Sequence, residues 1–211
     1  SVLTYSQAIH HQFVSSLANL QTLHANADQL KRNFLEIRRA AVSANGPYAR
    51  RSFAILADGN QGRIERFVDL MQLQGIEVYR LTQPLMTRAT DQLGRPSSVR
   101  LPVGTLLVPN RQPEANLVAT LLEFDPRMPE ETLKKERREL LMRNDSRLYD
   151  VTSWNISMMI GLESLYLPIS LPQQVEPVRT TIAAPVADDG KSLSYLIDVR
   201  DDISHAAAAT L

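Results

Sequence analysis

Gly104–Asp125 reads GTLLVPNRQPEANLVATLLEFD, and its order of apolar and turn-forming residues decides the fold class. Thr105 to Pro109 is a short apolar run bounded by Gly104 and Pro109, the pattern of a buried strand. Asn110 to Glu114 turn the chain. Leu117, Val118, Leu121 and Leu122 then recur at helical spacing. A strand feeding straight into an amphipathic helix is half of an α/β unit. The same order occurs where Phe53 to Ala57 runs through Asp58-Gly59-Asn60-Gln61-Gly62 into Arg63 to Gln74. These units predict an α/β chain: a long N-terminal helix or helical hairpin, a small mixed sheet flanked by helices, a Pro-rich linker, and a truncated second α/β unit.

Upstream, residues 1 to about 46 form a helical segment. Leu20, Leu23, Ala27, Leu30, Phe34, Ile37 and Ala41 alternate three and four apart, and Ile9, Phe13 and Leu17 continue the stripe backwards. That is one apolar seam with a polar reverse face. A helix of this length, at ~1.5 Å per residue, is longer than a small domain is wide. It therefore calls for a partner: another part of the parent protein, or a second copy in a coiled coil, although charges flanking the seam are not systematically paired. Asn45-Gly46-Pro47 reads as its end, with Gly as C-cap and Pro as stop.

Residues 50–166 read as the α/β domain. Ser52 to Ala57 is its first strand. Arg63 to Gln74 is a helix with Ile64, Phe67, Val68, Met71 and Leu73 on or near its inner face, capped by Gly75. Ile76 to Thr82 is a strand, and Leu85 to Thr90 with Ser98 to Leu101 form a hairpin about Gln92-Leu93-Gly94-Arg95-Pro96. The helix at 112–123 has Pro113 in its first turn. Pro129 to Arg143 is a charged, mostly exposed helix, and Asp150 to Glu163 is too apolar for a surface loop. Residues 167–192 hold Pro168, Pro172, Pro177 and Pro185 and read as a linker, with Val178 to Ala183 a candidate extended strand. Residues 193–211 read as a new strand, Leu193 to Val199, and a new helix from Ile203. The chain opens on Ser1 and closes inside that helix, which is the expectation for part of a longer protein.

Composition narrows the functional classes. The 211 residues are 44% hydrophobic and 22% charged, an ordinary globular balance with enough chain to bury a core. Lys+Arg and Asp+Glu are both 23, so no global field favours nucleic acid or an acidic membrane. With no cysteine there is no disulfide, thiol nucleophile or thiolate metal site, and the compartment stays open. No apolar run reaches the ~20 residues of a membrane-spanning helix.

Four groups of residues invite a functional reading. Asp58, Asn60 and Gln61 lie at a strand-to-helix turn where amides and the helix dipole favour an anion. The simpler reading is that Asp58 or Asn60 is an N-cap. With Asn110 at the matching turn of the second unit, they are the ligand-binding candidates of a strand-end crevice. Asp198, Asp201, Asp202 and His205 crowd oxygen and nitrogen ligands together, against a plainer role for Asp201 or Asp202 in capping a helix. His10, His11 and His24 lack acidic partners at ligand spacing and read as surface or packing residues. Arg38, Arg39, Arg50 and Arg51 form a short basic patch without interleaved aromatics, for which helix-terminus placement of the first pair is a simpler reading than nucleic-acid binding. Trp154, Met158 and Met159 suggest the lining of a ligand pocket, against the simpler reading as core.

FVSSLANL with LKRNFLEIRRAAV, GTLLVPNRQPEANLVATLLE and above all LYDVTSWNISMMIGLE resemble bacterial zinc carboxypeptidase-like proteins, in the region that follows the carboxypeptidase A-like catalytic domain. SLSYLIDVRDDISHAAAATL resembles the start of a further domain similar to class I glutamine amidotransferases. The resemblance implies a zinc metallopeptidase parent, a non-catalytic α/β segment here, and the upstream peptidase and downstream domains as partners. The family's His-x-x-Glu pair and distant His have no counterpart in this chain, so no metal ligand or general base carries over. Zinc is expected in the parent's catalytic domain, with no cofactor in this segment.

Overall fold

The computed structural model describes residues 4–56, 59–124, 128–146, 155–179 and 200–203. The chain divides into two compact units, residues 1–40 and 41–211.

The first unit is helical. α1 (Tyr5–Ala25) starts with a capping box: Thr4 Oγ1 accepts from the Gln7 amide, and the Gln7 side chain accepts from the Thr4 amide at 3.0 Å. α2 (Ala27–Val42) follows after Asn26, whose side chain donates back to Thr22 O at 2.8 Å. No residue of α1 is buried, so the two helices do not close on each other as a packed hairpin. The helix ends at Val42, before Gly46. A turn takes over, in which the Gly46 amide donates to Ser43 O, and Gly46 stays out of the left-handed conformation a C-cap glycine adopts.

In the second unit seven strands form one curled antiparallel sheet: β1 (Ser52–Ile55), β2 (Tyr79–Leu81), β3 (Leu85–Asp91), β4 (Pro96–Leu101), β5 (Leu106–Pro109), β6 (Ser164–Leu167) and β7 (Val175–Pro177), in the order β4-β3-β6-β1-β5-β2-β7. The central strands β1 and β5 are buried along their whole length, as their apolar runs require. β6 sits beside β1, with Phe53 opposite Tyr166 and Ala54 opposite Leu165. It was not legible as a strand. β7 occupies the sheet edge beside β2, inside the stretch read as a linker and just before the predicted strand at 178–183.

The curl follows from chain connectivity. β4 and β5 are four places apart in the sheet, about 19 Å if it were flat. The four residues 102–105 that join them reach at most about 17 Å. The edge therefore bends back, with the Leu81 amide on Thr105 O and the Gly104 amide on Leu81 O, both at 2.9 Å. Two cores result. Inside the curl, Ala54, Leu81, Ala89, Leu101, Leu107, Leu165 and Leu167 pack together. On the other face, Phe53, Ile55, Leu106 and Val108 meet α3 (Gln61–Leu73), α4 (Ala115–Leu122) and α6 (Ile156–Ile160).

α3 buries Ile64, Phe67, Val68 and Met71, the i, i+3, i+4, i+7 stripe. Leu73, two residues beyond, points away from it and is 81% exposed. Gly75, at φ +73°, ends the helix in a Schellman turn, with the Ile76 amide on Met71 O at 2.9 Å. α5 (Glu130–Arg143) is charged and largely exposed, as its sequence requires.

Candidate functional site

Two candidates that lie far apart in sequence meet at the N-terminus of α3. Asn60 Oδ1 accepts from the Arg63 amide at 3.0 Å and caps the helix. Its Nδ2 donates to Arg200 O at 3.0 Å and to Asp202 Oδ1 at 3.1 Å. The Gly62 amide donates to Asp201 Oδ1 at 3.0 Å, and the Ile203 amide reaches the same oxygen at 3.2 Å. The Arg63 guanidinium grips Asp202 through Nε at 2.7 Å and Nη2 at 3.2 Å. The amides expected to attract an anion are thus held by side chains of the chain itself, the Arg63 amide by the Asn60 carboxamide and the Gly62 amide by the Asp201 carboxylate, so the capping reading holds for Asn60 and Asp201. Gly62 permits this close approach: a Cβ there would lie 2.5 Å from Ile203 Cγ1, so residues 201–203 would have to shift. Gln61 Nε2 donates to Glu65 Oε1 at 3.3 Å on the surface. Asp58, Asp198, His205 and Trp154 lie outside the described residues.

Asp202 and Ile203 form one wall of a groove of about 690 Å³, also lined by Arg63, Arg66, Met158, Met159 and Gly161. Met158 and Met159 are exposed in it, not buried as their sequence predicts. α6 is so short that Ile156 and Ile160 take its packing face.

Asn110 is far from this cluster. In the β1–β5 register Ile55 faces Leu106 and Ser52 faces Pro109, so the chain leaves the two strands at opposite ends of the sheet. Asn60 and Asn110 therefore line no common crevice; that idea presumed parallel strands. Asn110 is fully buried, its Nδ2 donates to Ala115 O at 2.7 Å, and its Oδ1 has no partner. Gln112 beside it accepts from the Glu77 amide at 2.8 Å and donates to Pro109 O at 2.6 Å.

The predicted basic patch is divided. Arg51 lies against the rings of Tyr48, Phe53 and Tyr166, its guanidinium carbon 5.2 Å from the Phe53 centroid, and is ion-paired with Glu123. Its Nε is buried without a partner. Arg38 stacks on Phe34 at 4.9 Å, Arg39 occupies the last turn of α2, and Arg50 is exposed. A further polar cluster has no sequence signal beyond its amide and hydroxyl residues. Gln92 Nε2 donates to Ser164 Oγ at 2.8 Å and Leu162 O at 3.1 Å, and Asn155, Ser157 and Ser164 are buried beside it. With no imidazole or carboxylate among them, these groups join strand to helix and activate no nucleophile.

Two ionisable groups depart from their usual range. The Arg95 backbone amide, then its side chain and the Leu93 amide, hold the Asp91 carboxyl below the ordinary aspartate value. Burial pushes the Tyr79 phenol up, helped by its hydrogen bond to Glu77.

Among the described residues no three of His, Cys, Asp and Glu are grouped to hold a metal ion, and His10, His11 and His24 are exposed on α1. Along α1 and α2 the seam is bare: Ile9, Phe13, Leu17, Leu20, Leu23, Leu30, Phe34 and Ile37 are all exposed. Comparison with protein-family models, with curated proteins and with solved structures gives no match.

Proposed function

We propose that the chain is a non-catalytic accessory or inter-domain α/β segment of a zinc carboxypeptidase-like protein, set between an upstream peptidase domain and a downstream amidotransferase-like domain. The bare seam of α1 and α2 carries the connector reading. Eight large apolar side chains in helical register stay in water, and patches of this kind mark surfaces made for a partner. The peptidase parentage rests on the sequence resemblance. In this reading zinc and hydrolysis belong to the upstream domain, and the curled sheet is a rigid platform between neighbours.

The test compares the 211-residue chain with the longer parent protein on peptides, following release of the C-terminal residue with and without chelator. Chelator-sensitive release by the parent, with none from the chain, is expected. Release by the chain alone refutes the reading. A small-ligand module is the second reading, favoured by the groove beside Arg66, Met158 and Met159. Saturable heat of binding for an anionic metabolite, lost in Arg66→Ala, supports it instead.

A further inference from the structure

We infer that the open edge of β4 is a docking site for an extended acidic segment of another polypeptide, which adds a strand to the sheet and sets its carboxylates beside Arg88 and Arg100. It is independent of the connector reading.

Backbone geometry identifies the occupant as a strand. β4 ends the sheet, with β3 on one side and, among the described residues, no strand on the other. The Asp91 amide donates to Arg95 O across the hairpin, and antiparallel pairs alternate between bonded and non-bonded. Ser97 and Val99 therefore direct their amides and carbonyls to Ala89 and Thr87 on β3. Ser98 and Arg100 turn theirs to the open edge. Pro96, the next residue of that row, has no amide and closes it at one end. An edge in this state is a template for a further strand.

Side chains select which strand. On the inner face Val99 is half-buried against the core of the curl, beside Leu85, so the residue that meets it is apolar. On the outer face Met86, Arg88 and Thr90 of β3 stand opposite Arg100, Ser98 and Pro96 of β4. Arg88 and Arg100 are exposed, and neither guanidinium has a partner among the described residues. A groove of about 590 Å³ runs past Arg88, Thr90, Pro96, Ser98, Tyr166 and Pro168, and no acidic residue lines it. A Glu opposite Arg100 on the added strand pairs with it directly. A Glu opposite Ser98 lies two strand spacings from Arg88, about 10 Å, with only a serine between, and the two long side chains span that gap. A second copy of β4 does not suit the edge, because antiparallel pairing of the two gathers four arginines on one face.

The test uses the full chain and two labelled peptides of equal length, with Val at alternate positions and either Glu or Lys between them. Fluorescence anisotropy at low salt is expected to show the Glu peptide binding about ten-fold more tightly, two attractive cross-strand contacts being exchanged for two repulsive ones. The preference narrows as salt is added, and Arg88→Glu with Arg100→Glu inverts it. N-methylation of the peptide at its Glu residues, or Ser98→Pro in the chain, removes edge hydrogen bonds and should weaken binding about ten-fold. In the complex, hydrogen exchange at the Ser98 and Arg100 amides should slow by at least about ten-fold. Equal binding of the two peptides, binding of neither, or full binding of the N-methylated peptide overturns the inference. So does concentration-dependent sedimentation of the chain alone that Ser98→Pro abolishes, which assigns the edge to a second copy.

Discussion

Glu123 caps the C-terminal end of α4, where the helix dipole disfavours a carboxylate. Its partner Arg51 explains the placement. The Arg51 side chain is 19% exposed and that of Glu123 34%, so both charges have lost most of their water and depend on each other. Glu123→Gln keeps the shape and removes the charge, leaving a cation among three aromatic rings. Breaking a buried pair costs about 3–5 kcal/mol. Discounted for the third of Glu123 that still meets solvent, about 2 kcal/mol is expected, with a similar loss for Arg51→Met. The double replacement Arg51→Met, Glu123→Gln should return to within about 1 kcal/mol of the parent. It removes both desolvated charges and the unpartnered Nε, and it leaves a thioether against the rings. Urea unfolding of the four proteins closes the cycle, and the coupling between the sites should be about 3 kcal/mol. A Glu123→Gln cost below about 0.5 kcal/mol, or a double variant that loses the sum of the singles, would refute the reasoning.

Gly62→Ala sets two effects against each other. Alanine favours the helix by up to about 1 kcal/mol, so the melting temperature should hold or rise. Its Cβ, however, meets Ile203 and Asp201, so hydrogen exchange at the Ile203 amide should accelerate about ten-fold as residues 200–203 lift off; unchanged exchange sinks the argument. Asp91 holds the β3–β4 turn by accepting from the Leu93 and Arg95 amides, both at 2.9 Å. Because its folded pKa is lowered, this contribution is whole above the ordinary value of 3.8 and is lost as pH falls through the lowered one. Amide shifts of Leu93 and Arg95 should therefore move together at acid pH, and Asp91→Asn should abolish the step. Flat shifts, or the same step in the variant, contradict it.

What was legible in the sequence is what local chemistry decides. The apolar runs of β1 and β5, the stripe of α3 with its Gly75 cap, and the turn about Gln92 to Pro96 all follow from residues within one element. β6 escaped because SLYL is too short to show a period, and it earns its place only beside β1 and β3. β7 escaped because Pro177 reads as a linker residue, although an edge strand tolerates proline. At the candidate site Asn60 was legible as a cap, since Asn before a helix is a local signal. The ties from Gly62 to Asp201 and from Arg63 to Asp202 span about 140 residues, a separation at which spacing carries no information. Arg51 was misread for the same reason: whether a cation is solvated or boxed depends on Tyr166 and Glu123, which only the fold brings to it.

The central claim is that the apolar seam of α2 serves a partner and not the chain's own fold. Phe34→Gln with Ile37→Gln tests it most directly, because glutamine suits a helix at least as well as the residues it replaces. The urea midpoint of the doubly substituted chain should match the parent within the ~0.5 kcal/mol typical of surface changes. A loss above about 2 kcal/mol, the cost of emptying a packed core, would contradict it.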